Sequence, residues 1–350
     1  MDFSLFFFAD TAATAGCYDL LLASARFADA NDFAAVWTPE RHFHSFGGQY
    51  PNAAVIGAAL AAVTERVGIR AGSVVAPLHH PARIAEEWSV VDNLSGGRVG
   101  VSFASGWHKV DFVVRPENHA DRKRIMMESI DAVRQLWRGD EVKFPDAEGG
   151  HTAVRLYPPP VQRELPIWIT AAGSPETFRA AGRLGAGMLT HQLGQNHDAL
   201  ASNIALYRQE LAAAHGPEAR GHVAVMLHTM IGADRDQVRE TVREPFSNYL
   251  RSSIDLIARD TVGAAPGDFD LSRLPARDKE FMVRLSFDRY FNDAGLFGTV
   301  DDGVEVVRRL KSIGVDEIAC LIDFGVDQDV VLRSLRHLGE LRLRTAVPTV

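Results

Sequence analysis

The 350-residue sequence predicts a (β/α)8 barrel of the TIM type. Apolar segments of strand length alternate with amphipathic segments of helix length along the chain, which is typical of βα units around a parallel sheet. Eight such units can be counted. Polar residues follow directly after several of the strands, where barrel enzymes place their active sites. These observations favour one closed α/β domain.

Each predicted strand is rich in aliphatic or β-branched residues. The eight strands are Phe3–Phe8, Ala34–Thr38, Gly68–Ala76, Arg98–Ala104, Pro166–Ala171, Gly187–His191, Val223–Ile231 and Glu317–Asp323. No Gly-x-Gly-x-x-Gly follows the first strand, which argues against a Rossmann-type sheet. Three helices have clear apolar or small-residue faces for packing on the barrel. They are Tyr18–Asp29, Ala53–Thr64 and Asp301–Lys311.

Two segments exceed the minimal repeat. Residues 142–160 contain a Gly-Gly pair and three consecutive prolines, and they predict a hairpin-type insertion. Residues 240–298 form a longer excursion whose Gly263–Pro275 stretch is rich in Gly, Pro and Asp. We expect this second insertion to be a lid or a substrate wall. The prediction is one barrel domain over residues 1–342 and a C-terminal tail over 343–350.

Composition narrows the possible partners and the compartment. The formal net charge of -8 and the scattered Lys and Arg residues argue against nucleic acid as a partner. No apolar run approaches membrane-spanning length, and no basic segment precedes the first strand. Cys17 and Cys320 lie far apart, which favours two buried thiols over a disulfide. A cytoplasmic location with no membrane contact is expected.

Glu40, Arg41 and His42 follow the second predicted strand. Two cations and a carboxylate at such a strand end indicate chemistry rather than stability. In an arbitrary protein, the same residues more often form a structural ion pair and a helix start. The motifs described next favour the catalytic interpretation.

The segment Gly173–Thr177 follows a predicted strand and opens a helix. Ser174 suits the N-cap, Pro175 suits the first turn, and Gly173 permits a close backbone approach. Exposed N–H groups and the helix dipole favour an anion such as phosphate there, with the Ser174 and Thr177 hydroxyls as further donors. An ordinary capped helix without a ligand would have the same sequence.

These motifs, in this order and spacing, resemble the bacterial luciferase-like family of flavin-dependent monooxygenases over nearly the whole chain. The resemblance is strongest to the branch associated with polyketide and nonribosomal peptide synthesis. The motifs that carry it are Trp37–Phe43, Tyr50–Asn52, Ala71–Arg83, Gly97–Arg98, Ser105–Trp107, Gly173–Thr177 and Gly298–Thr299.

The resemblance implies a set of FMN contacts. Ser174 and Thr177, after Gly173, match residues that contact the FMN phosphate. Gly72-Ser73 matches a pair whose non-proline cis peptide bond makes a bulge that supports the isoalloxazine ring. Ser105 stands where bacterial luciferase has an arginine, so the flavin contacts differ in detail. Trp107 is a candidate wall of the ring, although packing at the barrel rim would explain it equally well.

The candidate catalytic group also departs from the family pattern. Arg41 matches the catalytic histidine of bacterial luciferase and cannot act as a base at neutral pH. His42 matches the second histidine and is expected to accept or donate a proton during turnover. Arg41 is a candidate to hold an anionic substrate group, and Glu40 completes the set. The luciferase aldehyde reaction is therefore not implied.

A metal site at His79-His80 is not expected. Adjacent residues of an extended strand point in opposite directions, and no carboxylate or cysteine in the motif completes a ligand set.

The resemblance implies a monooxygenase that uses reduced FMN (FMNH2) and dioxygen to oxygenate an organic substrate in secondary metabolism. No second nucleotide motif is present, so a separate flavin reductase is expected to supply the reduced FMN. The substrate is expected to be a small molecule, free or tethered to a carrier protein, and the assembly a homodimer. Two alternatives remain: a deazaflavin-dependent hydride-transfer enzyme on the same fold, and a non-catalytic flavin-binding protein.

Overall fold

The computed structural model describes residues 1–8, 16–192, 195–261 and 275–346. The described residues contain eleven strands. They are β1 (Asp2–Phe6), β2 (Ala35–Thr38), β3 (Gly68–Val75), β4 (Val99–Ala104), β5 (Val142–Pro145), β6 (His151–Val154), β7 (Ile167–Ala171), β8 (Gly187–His191), β9 (Val223–Ile231), β10 (Leu296–Gly298) and β11 (Glu317–Leu321).

Eight of these strands form a closed parallel barrel. Their order is β9-β11-β1-β2-β3-β4-β7-β8, and β8 pairs with β9 to close the ring. The short strand β10 adds to the C-terminal part of β9. All eight predicted strands take part, so the predicted TIM-type barrel is confirmed.

Ten α-helices lie in the described part of the chain, and at least one follows each of the eight barrel strands. They are α1 (Asp19–Ala30), α2 (Ala53–Ala61), α3 (Pro81–Ser95), α4 (Arg122–Trp137), α5 (Pro175–Leu184), α6 (His197–His215), α7 (Arg235–Thr261), α8 (Ala276–Arg289), α9 (Val300–Ser312) and α10 (Gln328–Thr345). None of these helices has both the length and the apolar character needed to cross a membrane.

Several predicted ends are too long. The second helix was expected to reach Thr64, but α2 ends at Ala61. The Leu60 carbonyl accepts the Thr64 hydroxyl at 2.8 Å and the Val63 N–H at 3.1 Å, rather than the Thr64 N–H that would continue the α-helix. The first strand was expected to reach Phe8, but the Phe8 N–H donates to the Asp323 carboxylate at 2.7 Å. Side chains at both places take the hydrogen bonds that would have extended the element.

A buried polar cluster occupies the barrel interior toward the N-terminal ends of the strands. Trp37 on β2 and Trp168 on β7 contact each other at 5.1 Å between ring centroids, across two intervening strands. The Arg70 guanidinium lies over both rings, at 4.9 and 4.7 Å. Glu317 accepts from Arg70 Nη1 at 2.7 Å and from Trp37 Nε1 at 2.8 Å. The buried charge of Glu317 is thereby paired and hydrogen-bonded, as burial requires.

Two segments stand outside the minimal repeat. Strands β5 and β6 pair as an antiparallel hairpin between α4 and β7. The excursion over residues 240–298 is largely helical where it is described, because α7 and α8 fill most of it and β10 ends it. Residues 263–274 of the Gly263–Pro275 stretch lie outside the described residues. Arg251 on α7 pairs with Glu280 on α8 at 2.7 Å, which helps to hold the two helices together.

Candidate active site

The polar residues singled out in the sequence lie at one rim of the barrel. Glu40 follows β2, the Gly72-Ser73 pair lies in β3, Ser105 follows β4 and Gly173 follows β7. These four strands are neighbours in the sheet. Because the strands are parallel, the residues after them meet at the C-terminal end of the barrel.

The peptide bond between Gly72 and Ser73 is cis, as the family resemblance predicts. The register of β3 against β4 shifts between Gly72 and Val74, so the strand bulges there. A Cβ atom at Gly72 would lie 2.7 Å from the Phe6 ring, which only glycine avoids. Ser73 Oγ lies 2.5 Å from Thr170 Oγ1 on β7. The bulge is therefore hydrogen-bonded across β4 to β7.

The Glu40 carboxylate holds two histidines. Its Oε1 atom lies 2.8 Å from His42 Nε2 and 2.6 Å from His79 Nε2. Its Oε2 atom accepts the Val75 N–H at 2.7 Å. Glu40 is buried, whereas 16% of the His42 side chain and 24% of the His79 side chain are exposed. Both imidazoles therefore connect a buried carboxylate to the open rim.

The electrostatics of this group follow from the same contacts. Burial alone raises the pKa of Glu40, but the hydrogen bonds from His42 and His79, the His79 charge and the Val75 N–H together lower it. Burial lowers the pKa of His79, but the hydrogen bond to Glu40 and the charge of Glu40 outweigh burial and raise it. Glu40 is therefore ionised near neutral pH and accepts a hydrogen bond from each imidazole.

Arg41 belongs to a second charged group beside the first. Its Nη1 atom lies 3.1 Å from Asp111 Oδ2, and Asp111 Oδ1 lies 3.3 Å from His108 Nδ1. The Trp107 ring lies 4.9 Å from the Arg41 guanidinium. Arg41 and Asp111 are both buried. Because Asp111 already balances the Arg41 charge, a substrate anion would have to share Arg41 with it.

The loop after β4 carries Ser105 and Trp107 to the rim. Gly106 has a φ of 76°, and a Cβ atom there would lie 2.8 Å from Val75 and 2.9 Å from Phe112. The glycine thus lets this loop pack closely on the end of β3. Ser105 is partly buried, and Trp107 is 48% exposed. The Trp107 ring is therefore a surface of the rim rather than part of the core.

The turn between β7 and α5 has the features of an anion site. Gly173 has a φ of 120°, and a Cβ atom there would lie 3.4 Å from Gln195 Oε1. Ser174 is the N-cap of α5 and Pro175 lies in the first turn, as predicted. The Ser174 side chain makes no capping hydrogen bond to the described helix and is exposed, and Thr177 is partly exposed. The Ser174 hydroxyl is thus not used to cap α5.

Two amide side chains support this turn from α6 and from the loop before it. Asn203 Nδ2 lies 3.2 Å from the Gly173 carbonyl and 3.3 Å from Gln195 Oε1. Gln195 Nε2 donates to Thr190 Oγ1 at 3.0 Å. The backbone of Gly173 is therefore fixed by the neighbouring βα unit.

An aromatic wall lies beside the C-terminal part of β9. The His228 ring lies 4.7 Å from Phe246 and 4.8 Å from Tyr249, both on α7, and 5.4 Å from Tyr290. Burial lowers the pKa of His228 to about 3, so the imidazole is neutral. Its Nε2 atom is buried without a hydrogen-bond partner among the described residues. Such an atom calls for a partner from a ligand or water.

The sequence analysis missed several of these residues. His79 was considered only as a metal ligand, and neither Asp111, His228 nor Thr170 was singled out. Asp111 and His228 join the site through contacts between distant segments. The sequence could have indicated His79, because it follows the end of β3 and therefore lies on the same rim as Glu40.

The Luciferase-like monooxygenase family model matches residues 1–317. The oxygenase component of a flavin-dependent trigonelline monooxygenase from Acinetobacter baylyi is 23% identical over 334 residues, 92% of this chain and 88% of that protein. The 4-hydroxyprotoasukamycin monooxygenase of Streptomyces nodosus subsp. asukaensis is 27% identical over 300 residues, 83% of this chain and 76% of that protein.

The fold is also that of a solved structure. The oxygenating constituent of 3,6-diketocamphane monooxygenase from Pseudomonas putida, a type II Baeyer-Villiger enzyme in complex with FMN, superposes with a TM-score of 0.77 at 17% identity, covering 100% of both chains. Proteins named as F420-dependent match as well, one at 34% identity over 151 residues, 41% of this chain and 43% of that protein. Because the family model matches most of the chain, the chain belongs to the luciferase-like monooxygenase family.

Proposed function

We propose that this enzyme uses reduced FMN and dioxygen to oxygenate an organic substrate at the C-terminal rim of the barrel. The observation that carries the proposal is the joint presence, on neighbouring strand ends, of the Gly72-Ser73 bulge and the open N-terminus of α5. A bulge and a helix N-terminus suit a flat ring and a phosphate respectively. Both belong to a barrel whose relatives are named as monooxygenases.

The residues present fit FMN. Gly72 leaves room for the Phe6 ring beside the bulge, and the positive φ of Gly173 turns the chain into the N-terminus of α5. Ser174 and Thr177 add hydroxyls to the N–H groups of the first turn of α5, which suits a phosphate monoester. Glu176 lies in the same turn, but its charge is matched by Arg183 at 2.5 Å.

Each residue has a proposed part in the reaction. The Ser174 and Thr177 hydroxyls would hold the phosphate, the Gly72-Ser73 bulge would support the ring, and Trp107 would cover it. Bound reduced FMN supplies the electrons for dioxygen activation, which no side chain can provide. His42 exchanges a proton with the substrate at the rim. Arg41, buried against Asp111, contributes positive charge beside it.

The natural substrate is proposed to be an intermediate of secondary metabolism, either free or carrier-tethered. The similarity to 4-hydroxyprotoasukamycin monooxygenase supports this class. A separate reductase is proposed because two similar proteins are themselves named as one component of a system, an oxygenase component and an oxygenating constituent. A homodimer is the proposed assembly.

Calorimetry with FMN and FAD tests the cofactor. We expect reduced FMN to bind more tightly than FAD, because the turn before α5 provides one phosphate site and the sequence has no second nucleotide motif. Equal or tighter FAD binding would overturn the FMN assignment.

Oxygen consumption tests the reaction class. With reduced FMN, a reductase and a set of candidate polyketide-type substrates, we expect substrate-stimulated oxygen uptake and a product heavier by one oxygen atom. Hydride transfer from reduced F420 without oxygen uptake would instead support the deazaflavin alternative. The similarity to an F420-dependent protein is the observation in favour of that alternative. Binding of flavin with no turnover of any kind would support a non-catalytic role.

A further inference from the structure

His79 contacts the proposed catalytic group, but the proposed function assigns no role to it. It follows the short 3-10 turn Ala76–Leu78 at the end of β3, and its Nε2 atom lies 2.6 Å from Glu40 Oε1. His42 Nε2 lies 2.8 Å from the same oxygen. The neighbouring His80 does something different, because its Nδ1 atom accepts the Ala82 N–H as the N-cap of α3. Of these two adjacent histidines, His79 is the one that shares the Glu40 carboxylate with His42.

The shared oxygen decides where the hydrogens lie. An ionised carboxylate only accepts hydrogen bonds, so both imidazoles present an Nε2–H to Glu40 Oε1. Oε2 is already engaged by the Val75 N–H. A neutral His42 that carries its hydrogen on Nε2 has its lone pair on Nδ1.

The charges around His79 favour its protonated form. Burial lowers the pKa of His79, but the hydrogen bond to Glu40 and the charge of Glu40 outweigh burial and raise it. The Glu87 anion adds to this effect, and the Arg115 cation opposes it. Glu40 and protonated His79 together carry no net charge. Glu40 therefore holds the His42 Nε2–H without a full uncompensated negative charge behind it.

We propose that His79 is a positioning residue which, through Glu40, keeps His42 neutral with its Nδ1 lone pair free to take a proton from the substrate. This proposal rests on the proposed function of His42. In that step the substrate X–H bond breaks, its electron pair stays on X, and the proton forms an N–H bond at His42 Nδ1. The resulting imidazolium is stabilised by Glu40. The proton returns by the reverse step or passes to water.

The hydrogen positions can be measured without turnover. In full-length protein labelled with ¹⁵N-histidine, at neutral pH and without substrate, we expect His42 with a protonated Nε2 and an unprotonated Nδ1, and His79 with both nitrogens protonated. Glu40→Gln should remove the preference of His42 for the Nε2–H form. A His42 that carries its hydrogen on Nδ1, or an unprotonated His79, in the wild-type protein would overturn the proposal.

The charge of His79 is tested by His79→Gln, whose amide N–H can still donate to Glu40. With the compensating charge lost, Glu40 stabilises the His42 imidazolium more strongly. The acid limb of the pH profile of kcat/KM should then move to higher pH by about one unit. This is the low end of the range of pKa shifts caused by a charge within about 4–6 Å. His80→Asn, which keeps a capping group on α3, is the matched control and should leave the limb in place.

A structural role of His79 would give a different result. It would lower kcat/KM by the same factor at every pH and leave the acid limb where it was, and that outcome would refute the proposal. The two readouts also separate the proposal from the proposed function. If the NMR result holds and the protein fails to turn over with reduced FMN and dioxygen, the reaction assignment is wrong while the arrangement of protons stands.

Discussion

Two buried glutamates in this barrel are stabilised in different ways. Glu317 is paired with Arg70 and hydrogen-bonded by Trp37 inside the barrel, so its charge is permanently matched. Glu40 at the rim is instead hydrogen-bonded by two imidazoles, the side chains of His42 and His79. A fixed cation suits a structural carboxylate, and titratable partners suit proton transfer. The difference supports the proposal that Glu40 serves the chemistry, whereas Glu317 serves stability.

His42 is predicted to serve turnover rather than FMN affinity. It lies after β2, whereas the proposed phosphate site follows β7. In His42→Ala we expect substrate oxidation to fall by about 10²–10⁴-fold, the usual contribution of a general acid or base. FMN affinity, measured by calorimetry on the same preparation, should stay within a few-fold. Coupled turnover close to that of wild type would remove His42 from the mechanism.

The Arg70–Glu317 pair is predicted to be strongly coupled. Glu317→Gln should lower the free energy of unfolding by about 3–5 kcal/mol at pH 7, because it leaves a largely buried guanidinium unmatched inside the barrel. Arg70→Met combined with Glu317→Gln should recover part of that loss, since it removes both charges. Urea unfolding of the single and double variants measures the difference. Additive losses would show that the two residues do not act as a pair.

The contribution of Glu317 should also depend on pH. Burial raises its pKa, but the charges of Arg70 and His222 and its hydrogen bonds outweigh burial and hold the pKa below the ordinary 4.5. A lowered folded-state pKa gives stability that is present above 4.5 and lost as the pH falls through the lower folded value. The gap in unfolding free energy between wild type and Glu317→Gln should therefore narrow in acid. A gap of the same size at pH 7 and pH 3 would contradict the paired state.

Among the helices, α5 and α9 begin with the same class of residue but use it differently. Thr299 caps α9 in a capping box, accepting from the Asp302 N–H while the Asp302 side chain accepts from the Thr299 N–H. Ser174 occupies the N-cap of α5 without such a bond. The N-terminus of α5 is thus left without a side-chain cap, although the Thr177 N–H donates to the Ser174 carbonyl at 3.0 Å. A helix N-terminus without a cap is open to an anion.

This contrast predicts opposite effects of two matched substitutions. Ser174→Ala should weaken FMN binding by about 0.5–2 kcal/mol and change unfolding little, because the hydroxyl is held for the ligand rather than for the helix. Thr299→Ala should lower the free energy of unfolding by about 0.5–2 kcal/mol and leave FMN affinity unchanged. Calorimetry and thermal unfolding of both variants give the comparison. Unchanged FMN affinity in Ser174→Ala would place the phosphate elsewhere.

At the scale of the whole molecule, the excursion after β9 adds a wall to the barrel. Tyr249 on α7 packs against Phe46 at 4.8 Å and against His228 at 4.8 Å between ring centroids. Phe46 belongs to the loop after β2, which also carries His42. The helix therefore joins the proposed catalytic loop to the C-terminal part of β9. We propose that the excursion over residues 240–298 forms a substrate wall or lid, of which α7 and α8 are the described helices.

Shortening this segment tests the proposed wall. Residues 263–274, replaced by a short Gly-Ser connection, should leave folding and FMN binding intact. The hydrogen peroxide released per reduced flavin consumed should rise, because the site would be less well shielded from water. An equally long Gly-Ser replacement is the control for length. Unchanged coupling in the shortened protein would make the segment an oligomer contact or a surface feature.

The sequence by itself determined the barrel, because strand and helix periodicity repeat through the chain and do not depend on distant contacts. It also located the rim, since Glu40, Gly72-Ser73 and Gly173–Thr177 each follow or end a recognisable strand. The cis peptide bond at Gly72-Ser73 was expected only from the family resemblance, and it is present. Local patterns and family motifs were sufficient for these features.

The tertiary structure alone decided which side chains meet. Glu40 and His79 are 39 positions apart, and Arg41 and Asp111 are 70 positions apart, yet each pair is in direct contact. No local pattern specifies such a pair, because the contact depends on how neighbouring strand ends are placed when the barrel closes. Burial then sets the charges: it keeps His228 neutral, while a shared carboxylate favours a protonated His79. The charges of these histidines are thus a property of the closed barrel, because desolvation and ion pairing exist only once distant segments pack together.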